Sequence, residues 1–115
     1  MANALTADEI TRGDTVLRKI IERLVATFDP ERIYLFGSRA RGDHTSESDY
    51  DVMVLVDSSD EPSYRRAQRA YRVIGAVGAS KDVLVWTRAE YDSQRHGGAS
   101  LAAAVQRDGV TVYAR

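Results

Sequence analysis

The 115-residue sequence predicts an α/β fold in which a small mixed β-sheet is flanked by helices. Segments with helix-like spacing of apolar residues alternate with short runs of β-branched and aromatic residues. Apolar residues make up 43% of the chain and charged residues 29%, which is typical of a globular protein. The length is that of one modest core, so residues 1–115 are predicted to form a single domain.

The first predicted helix spans Thr6–Phe28, where apolar residues recur at intervals of three and four. Its first residue is a suitable N-cap and is followed three positions later by glutamate, as in a capping box. Asp29-Pro30 ends this helix, because proline disfavours helical backbone in the residue before it. A short strand is predicted at Arg32–Phe36, followed by one helical turn at Ser38–Gly42.

The clearest strand is Asp49–Val56, which follows a polar loop and is apolar on both faces from Val52 onward. Such a pattern is typical of a central strand covered on both sides. The next helix is predicted at Pro62–Ala79, with proline at its start, where it is tolerated. Its predicted buried stripe comprises Tyr64, Ala67, Tyr71 and Ile74, with Val77 as a further candidate.

The last third of the chain predicts one more covered strand, two short helices and a final strand. The strand is Asp82–Thr87, and the helices are Arg88–His96 and Ser100–Arg107, separated by a Gly-Gly loop. The final strand is Val110–Tyr113. This element order indicates an α/β sandwich but does not by itself indicate a function.

Composition excludes several classes of protein. The chain has no cysteine, which excludes disulfides and thiolate metal sites, and two histidines do not favour a zinc site. The net charge of −1 gives no strong field that would attract nucleic acid, so direct nucleic-acid binding is not expected. No signal-peptide pattern or long apolar run is present, so we expect a cytoplasmic protein without a membrane partner.

Gly37 and Ser38 lie between a predicted strand and a predicted helical turn. Glycine lets the backbone approach a ligand closely, and Ser38 supplies a hydroxyl and a backbone N–H at the start of the turn. Such turns bind phosphate, but they are also common as ordinary connections. Alone, the pair leaves both interpretations open.

Asp49 and Asp51 are two positions apart in a predicted strand, so both side chains point to the same face. Two neighbouring carboxylates repel each other unless a cation lies between them. Mg²⁺ suits this place, since it takes oxygen ligands and keeps substrate phosphates in its shell. The alternative is a solvated acidic start to the strand, but the apolar run that follows favours the end of a buried strand.

Asp82 opens the next apolar strand. If that strand neighbours the first, Asp82 can complete a cluster of three carboxylates, and such a cluster can hold two Mg²⁺ ions. The alternative is a residue at the strand edge that balances the charge of Lys81.

The spacing between these parts is more specific than any one of them. Ten residues separate Ser38 from Asp49, giving Gly-Ser-x₁₀-Asp-x-Asp, a pattern expected by chance on the order of once in a thousand chains this long. In this pattern the chain resembles the minimal nucleotidyltransferases (MNT) of the DNA polymerase beta-like superfamily. The resemblance covers nearly the whole chain, including the Arg-Ala-Arg-Gly run after Ser38 and the closing Asp-Gly-x-x-x-Tyr.

The resemblance implies a polymerase beta-like nucleotidyltransferase core that uses ATP and two Mg²⁺ ions. Gly37 and Ser38 would hold the β- and γ-phosphates of the nucleotide. Asp49 and Asp51 would bind Mg²⁺, and Asp82 would be the third carboxylate, near the acceptor oxygen.

Arg39 and Arg41 lie in the loop where triphosphate charge would sit, and both are candidates for nucleotide binding. Otherwise they face solvent or pair with Asp43 or Glu47.

The resemblance also implies a partner, because larger relatives add domains that hold the acceptor and this chain is predicted to have little beyond the core. In the MNT family the partner is commonly a HEPN-domain RNase toxin. The implied function is an antitoxin that transfers AMP to a tyrosine of that toxin, as a homo- or hetero-oligomer. Two alternatives stay open: an enzyme that modifies a small molecule such as an aminoglycoside, and an antitoxin that neutralises by binding only.

A few other residues allow both functional and ordinary interpretations. One predicted helix carries four arginines: Arg65, Arg66, Arg69 and Arg72. They could form a docking surface for an acidic partner or for RNA, and the alternative is a solvated helix face. His44 is expected to be exposed in its loop, and His96 to end a helix. Trp86 and Tyr91 are expected to pack in the interior.

Overall fold

The computed structural model describes residues 12–94 and 100–115. The helices are α1 (Thr15–Phe28), α2 (Ser38–Arg41), α3 (Ser63–Ile74), α4 (Arg88–Gln94) and α5 (Leu101–Asp108). The strands are β1 (Arg32–Phe36), β2 (Tyr50–Val56), β3 (Lys81–Thr87) and β4 (Val110–Ala114).

The four strands form one sheet in the order β3-β2-β1-β4. β2 and β3 are parallel, whereas β1 pairs antiparallel with both β2 and β4. Parallel neighbours need a crossover connection, which α3 provides. The predicted small mixed sheet flanked by helices is therefore confirmed.

Each face of the sheet has its own apolar core. On one face, alternate residues of β2 such as Val52 and Val54 pack with α1 and α3. On the other face, Met53 and Leu55 pack with α4 and α5. Because strand side chains alternate, Asp51 lies on the same face as Met53, beyond the part of that face that α4 and α5 cover.

The prediction of one continuous helix over Thr6–Phe28 is wrong. The backbone leaves helical geometry at Gly13 and Asp14, and α1 starts afresh at Thr15. Asp14 is its N-cap, since its Oδ1 accepts a hydrogen bond of 2.9 Å from the backbone N–H of Leu17. The predicted cap at Thr6 lies outside the described residues.

Helix α3 differs from its prediction in length and in its buried face. It ends at Ile74 instead of Ala79, because Gly75 adopts a positive φ of 64° that ends helical geometry. Ile74 is buried as predicted, but Tyr64 and Tyr71 are 60% and 39% exposed. Arg66 takes a buried place instead, at 2% exposure.

The other boundaries agree with prediction to within one or two residues over the described ranges. β2 begins at Tyr50, so Asp49 precedes the strand. Ser100 is the N-cap of α5, not its first residue, and accepts a hydrogen bond from the N–H of Ala103. His96 and the Gly-Gly loop lie outside the described residues. In residues 12–94 and 100–115, no helix is long and apolar enough to cross a membrane.

Candidate active site

Gly37 connects β1 to α2 with a conformation that other residues rarely adopt. Its φ is +74°, and a Cβ at this position would lie 3.1 Å from Cγ of Asp51 and would collide with Oδ2 of that carboxylate. The pairing of Phe36 with Asp51 across β1 and β2 brings the two together. Glycine is therefore needed here both for its φ and for the close approach of the Asp51 carboxylate.

Ser38 begins the single turn of α2, which ends at Gly42 with a φ of 87°. The Ser38 residue is partly exposed, and its hydroxyl has no hydrogen-bond partner among the described residues. A hydroxyl without a partner in the described part of the chain is available to a ligand, as the sequence predicts for a phosphate-binding turn.

The three predicted carboxylates come to the same end of the sheet. β2 and β3 are neighbours, and Asp51 is paired in register with Asp82, so these two side chains share a face. The strand order on which the prediction for Asp82 depends is therefore confirmed. Asp49 and Asp82 are exposed, whereas Asp51 is partly buried under the Gly37 turn.

The Asp51 carboxyl has its pKa raised above the ordinary value. Burial is the largest cause, followed by repulsion from Asp82 and then from Asp49, while Arg41 opposes the shift. Both of the exposed carboxylates therefore act electrostatically on Asp51. A cation placed among them would be stabilised.

The carboxylate oxygens at this end of the sheet are the kind of ligand that Mg²⁺ prefers. Across the described part of the chain, no three His, Cys, Asp or Glu side chains are grouped closely enough to enclose a metal ion. Mg²⁺ does not need such a cage, because it binds one or two carboxylates and completes its shell with water and substrate phosphates. Asp49 and Asp51, beside the open Ser38 turn, fit an Mg²⁺ ion that shares its shell with nucleotide.

Arg39 fastens the loop that leads to Asp49. Its Nε donates to the carbonyl oxygen of Ser48 at 3.0 Å, and its Nη2 lies 3.4 Å from the carbonyl oxygens of Thr45 and Ser46. Its guanidinium also stacks over the Tyr50 ring, 3.9 Å from the centroid. The structure thus gives Arg39 a positioning role that the sequence did not indicate.

Tyr50 extends this anchor to the start of α1. Its hydroxyl donates to Oδ2 of Asp14 at 2.7 Å, and burial, followed by the hydrogen bond to Asp14, raises the pKa of Tyr50 to about 12. Asp14 was missed as a functional residue because it lies inside the predicted first helix. The signal was present, since Gly13-Asp14 is a typical break and N-cap.

Arg41 is more open than Arg39. Its Nε lies 3.2 Å from Oδ2 of Asp43, one of the pairings expected from sequence, and its side chain is 48% exposed. This exposure leaves Arg41 free to exchange Asp43 for a phosphate oxygen at small cost.

Tyr71 is a neighbour of Asp82 that the sequence did not indicate. Its hydroxyl accepts a hydrogen bond of 2.9 Å from the backbone N–H of Val83 and lies 3.4 Å from Oδ1 of Asp82. The residue was predicted to be core, so its polar end was not considered. The end of α3 therefore adjoins Asp82.

The arginines of α3 do not form one solvated face. Arg66 donates to the carbonyl oxygen of Val85 and to both carboxylate oxygens of Glu90, each at 2.9 Å. This pairing lowers the pKa of Glu90 to about 2. Arg65 and Arg72 are exposed as expected.

The remaining expectations agree with the structure where it describes them. His44 is exposed, and Tyr91 is buried at 3% exposure. Trp86 is partly buried and packs against the core on the α4 and α5 face.

The chain matches a protein family and two curated relatives in sequence. The family model described as "Nucleotidyltransferase domain" matches residues 17–97. Two Methanocaldococcus jannaschii proteins are similar: "Putative protein adenylyltransferase MJ0141", 36% identical over 55 residues, and "Putative protein adenylyltransferase MJ1379", 45% identical over 49 residues. These matches cover 48% and 43% of this chain, and 54% and 49% of the relatives. The chain thus spans about half the length of these relatives.

Solved structures share the fold. A crystal structure described as a "putative nucleotidyltransferase" from Sulfolobus solfataricus superposes with a TM-score of 0.65 at 25% identity, over 100% of this chain and 93% of that chain. A chain of a crystal structure described as a toxin-antitoxin with AMP-PNP superposes with a TM-score of 0.55 at 24% identity, over 85% and 73%. The second likeness is one of fold alone.

Proposed function

This chain belongs to the nucleotidyltransferase domain family, and on that premise we propose that it transfers AMP from ATP to a tyrosine hydroxyl of a partner protein. The observation that carries the proposal is the pairing of Asp51 with Asp82 in register, beneath a Gly37 turn that leaves the Ser38 hydroxyl free. The names of the two Methanocaldococcus jannaschii relatives support a protein as the acceptor.

The reaction is a displacement at the α-phosphorus of ATP. The acceptor oxygen forms a new bond to this phosphorus, the bond to the β-phosphate oxygen breaks, and pyrophosphate leaves. The acceptor proton passes to Asp82 or to water. Since the phosphate oxygens carry charge throughout, the protein contributes mainly by positioning and by electrostatic stabilisation.

Each predicted site residue has a proposed part in this reaction. Gly37 and Ser38 bind the β- and γ-phosphates. Asp49 and Asp51 hold Mg²⁺, with Asp82 as the third carboxylate where two ions bind. Bound Mg²⁺ supplies positive charge against the phosphate oxygens in the transition state. Asp82, at the exposed edge of the sheet, is the carboxylate nearest to an incoming acceptor.

The arginines of the turn have different proposed parts. Arg41, partly exposed and paired only with Asp43 in the described part of the chain, contacts the triphosphate. Arg39 contributes less to nucleotide contact, because its guanidinium already binds backbone carbonyl groups. Its part is to hold the loop before Asp49 in place.

We propose that the partner is a HEPN-domain toxin and that the chain acts as its antitoxin. The resemblance to the MNT family motivates this partner, and a chain of the same fold comes from a toxin-antitoxin structure with AMP-PNP. The test is intact-mass spectrometry of a co-expressed HEPN-domain toxin after incubation with ATP and Mg²⁺. We expect a mass gain of AMP on the toxin.

The controls separate catalysis from binding. Asp49→Ala should abolish the mass gain, whereas Asp60→Ala, a matched change at an exposed aspartate away from the site, should retain it. A toxin without added AMP would refute protein adenylylation. If an Asp49→Ala, Asp51→Ala variant still neutralised the toxin in cells, the binding-only antitoxin would replace this proposal.

A further inference from the structure

Helix α3 has two opposite faces. Arg66, Ala70 and Ile74 are buried against the sheet and α1. Five exposed residues share the other face, within an arc of about 120° at 100° per residue. This exposed α3 face comprises Tyr64, Arg65, Gln68, Tyr71 and Arg72.

The exposed α3 face holds large apolar side chains that the rest of the described surface lacks. Over residues 12–94 and 100–115, the exposed large hydrophobic residues are Tyr64, at 60%, and Tyr71, at 39%. They lie seven positions apart, so their rings lie on the same side of the helix. Exposed tyrosines flanked by arginines have the composition of protein interfaces, where both residues are enriched at the energetic centres.

The charge of this face is positive and not balanced locally. Arg66 is paired with Glu90, and Arg69 is paired with Glu61 at 2.9 Å. Arg65 and Arg72, in contrast, have no ion-pair partner within the described residues. No acidic residue belongs to the exposed α3 face, so its complement is a negatively charged surface.

The exposed α3 face reaches one of the three carboxylates, Asp82. The Tyr71 hydroxyl lies 3.4 Å from Oδ1 of Asp82, and Tyr71 is both the last aromatic residue of the face and a contact of the site. A protein that covers Tyr71 therefore comes to lie beside Asp82. Because β3 is an edge strand, an acceptor hydroxyl at the rim of that protein can extend round the edge of the sheet to Asp82.

We propose that the exposed α3 face is the docking surface for the acceptor protein, and that this protein presents an acidic surface next to its acceptor hydroxyl. The proposal rests on the proposed function, because it assigns the acceptor of the same site. It also explains why two tyrosines on this helix are exposed while apolar residues opposite them are buried.

The composition of the face favours a protein over RNA. Phosphate recognition depends on several cations that neutralise neighbouring phosphates, and its strength falls steeply with salt. The exposed α3 face has two unpaired cations, and the whole chain has a net charge of −1. A mixture of two aromatic rings and two arginines suits an acidic protein surface with apolar contacts.

Binding can be tested without catalysis. The probe is a fluorescently labelled random copolymer of glutamate and tyrosine, and its affinity for the full chain is measured by anisotropy in the absence of ATP. For the Arg65→Glu, Arg72→Glu variant we expect affinity about tenfold weaker than wild type. The matched control is Arg18→Glu, Lys19→Glu, the same charge reversal at exposed positions of α1, which should leave affinity within about twofold.

Tyr64 provides a second variant that keeps the charges. Tyr64→Ala should weaken copolymer binding several-fold, because a large contact area is lost. Tyr64→Phe keeps the ring and should retain most of the affinity. Since Tyr64 is 60% exposed, neither change is expected to unfold the chain, and circular dichroism checks this.

The outcomes separate this proposal from the proposed function. Equal affinities of the two charge-reversed variants, or no measurable binding of the copolymer to wild type, would overturn the docking surface. Tighter binding of a single-stranded RNA oligonucleotide that is lost in Arg65→Glu, Arg72→Glu would overturn it in favour of RNA. Copolymer binding that depends on Arg65 and Arg72, with no AMP added to the toxin, would refute the proposed function and leave the face as a docking surface for an acidic protein that is not an acceptor.

Discussion

Two regions of the molecule carry arginines near the carboxylates: the segment from Gly37 to Asp51, which contains two of them, and helix α3, which contacts the third through Tyr71. Different interactions determine the structures of these two regions. In the segment, the important contacts lie close in sequence: Gly37 against Asp51, and Arg39 against Ser48. In α3, the decisive contact joins Arg66 to Glu90, 24 residues away. The Gly-Ser-x₁₀-Asp-x-Asp pattern marks the first region in the sequence, whereas no comparable pattern marks the pair of Arg66 and Glu90.

The two regions also divide function from stability. Asp51 has a raised pKa from burial and from repulsion by Asp82, which is unfavourable for folding and useful for holding a cation. Arg66 donates to both carboxylate oxygens of Glu90 and to the carbonyl oxygen of Val85, which fixes α3 on the sheet. Changes in the first region should therefore affect activity most, and changes in the second should affect the free energy of unfolding.

Asp51→Asn should give the largest effect. We expect AMP transfer to fall by about 10³-fold, because the amide cannot supply the negative charge that a cation needs. The free energy of unfolding should stay the same or rise, since a repelled carboxylate is removed. Single-turnover kinetics and urea unfolding measure the two effects, and a variant with near-normal transfer would show that Asp51 is not a ligand.

Arg66→Ala should destabilise the fold by about 3 kcal/mol, the lower end of what the loss of one partner from a buried pair costs. The estimate is at the lower end because Glu90 is 41% exposed and water can reach it. Arg65→Ala, one position away and exposed, should change stability by less than about 0.5 kcal/mol. Urea unfolding compares the two, and equal losses would mean that the ion pair does not fix the helix.

The segment from Gly37 to Asp51 was easier to predict from the sequence than the packing of α3. The grouping of the candidate site residues was predictable because Gly37, Ser38, Asp49 and Asp51 lie within fifteen residues on adjacent elements. The placement of Asp82 beside Asp51 needed only one correct strand pairing. The buried face of α3 was not predictable from apolar periodicity, which favours tyrosine over arginine in a core. An arginine can be buried when its donors find acceptors, and Glu90 and the carbonyl groups of Val85 and Glu61 supply them here.

The break in the helix near Gly13 shows another limit of apolar periodicity, here among residues that are close in sequence. Apolar residues continue in helical register through this break, so periodicity joins two segments that the backbone separates. Asp14 is drawn to two partners, the N–H of Leu17 and the hydroxyl of Tyr50. The second partner is 36 residues away, but the N-cap itself is local, and it was missed because the apolar periodicity continues through it.

Gly37→Ala should destabilise the chain by about 2 kcal/mol, through its positive φ and through collision of the new methyl group with the Asp51 carboxylate. Gly78→Ala is the matched control, because Gly78 has a φ of +81° but nothing within 4 Å of the added Cβ. It should cost about 1 kcal/mol, the price of the backbone conformation alone. If thermal unfolding shows equal losses, close contact with Asp51 is not what requires glycine at position 37.

The smallest effect is a difference in pH dependence between the two regions. The pKa of Glu90 is lowered to about 2, so its stabilisation is complete above the unfolded value of 4.5 and is lost as pH falls toward 2. Because the Glu90 side chain is 41% exposed, we expect the free energy of unfolding to fall by about 1 kcal/mol.

The pKa of Asp51 is shifted the other way, so its unfavourable contribution to stability fades as pH falls through its raised pKa. We would measure the free energy of unfolding in EDTA between pH 7 and 3 for wild type, Glu90→Gln and Asp51→Asn. The difference between wild type and Glu90→Gln should change with pH in the direction opposite to the difference between wild type and Asp51→Asn. If both differences changed with pH in the same direction, repulsion at Asp51 and pairing at Glu90 would not have opposite effects on stability.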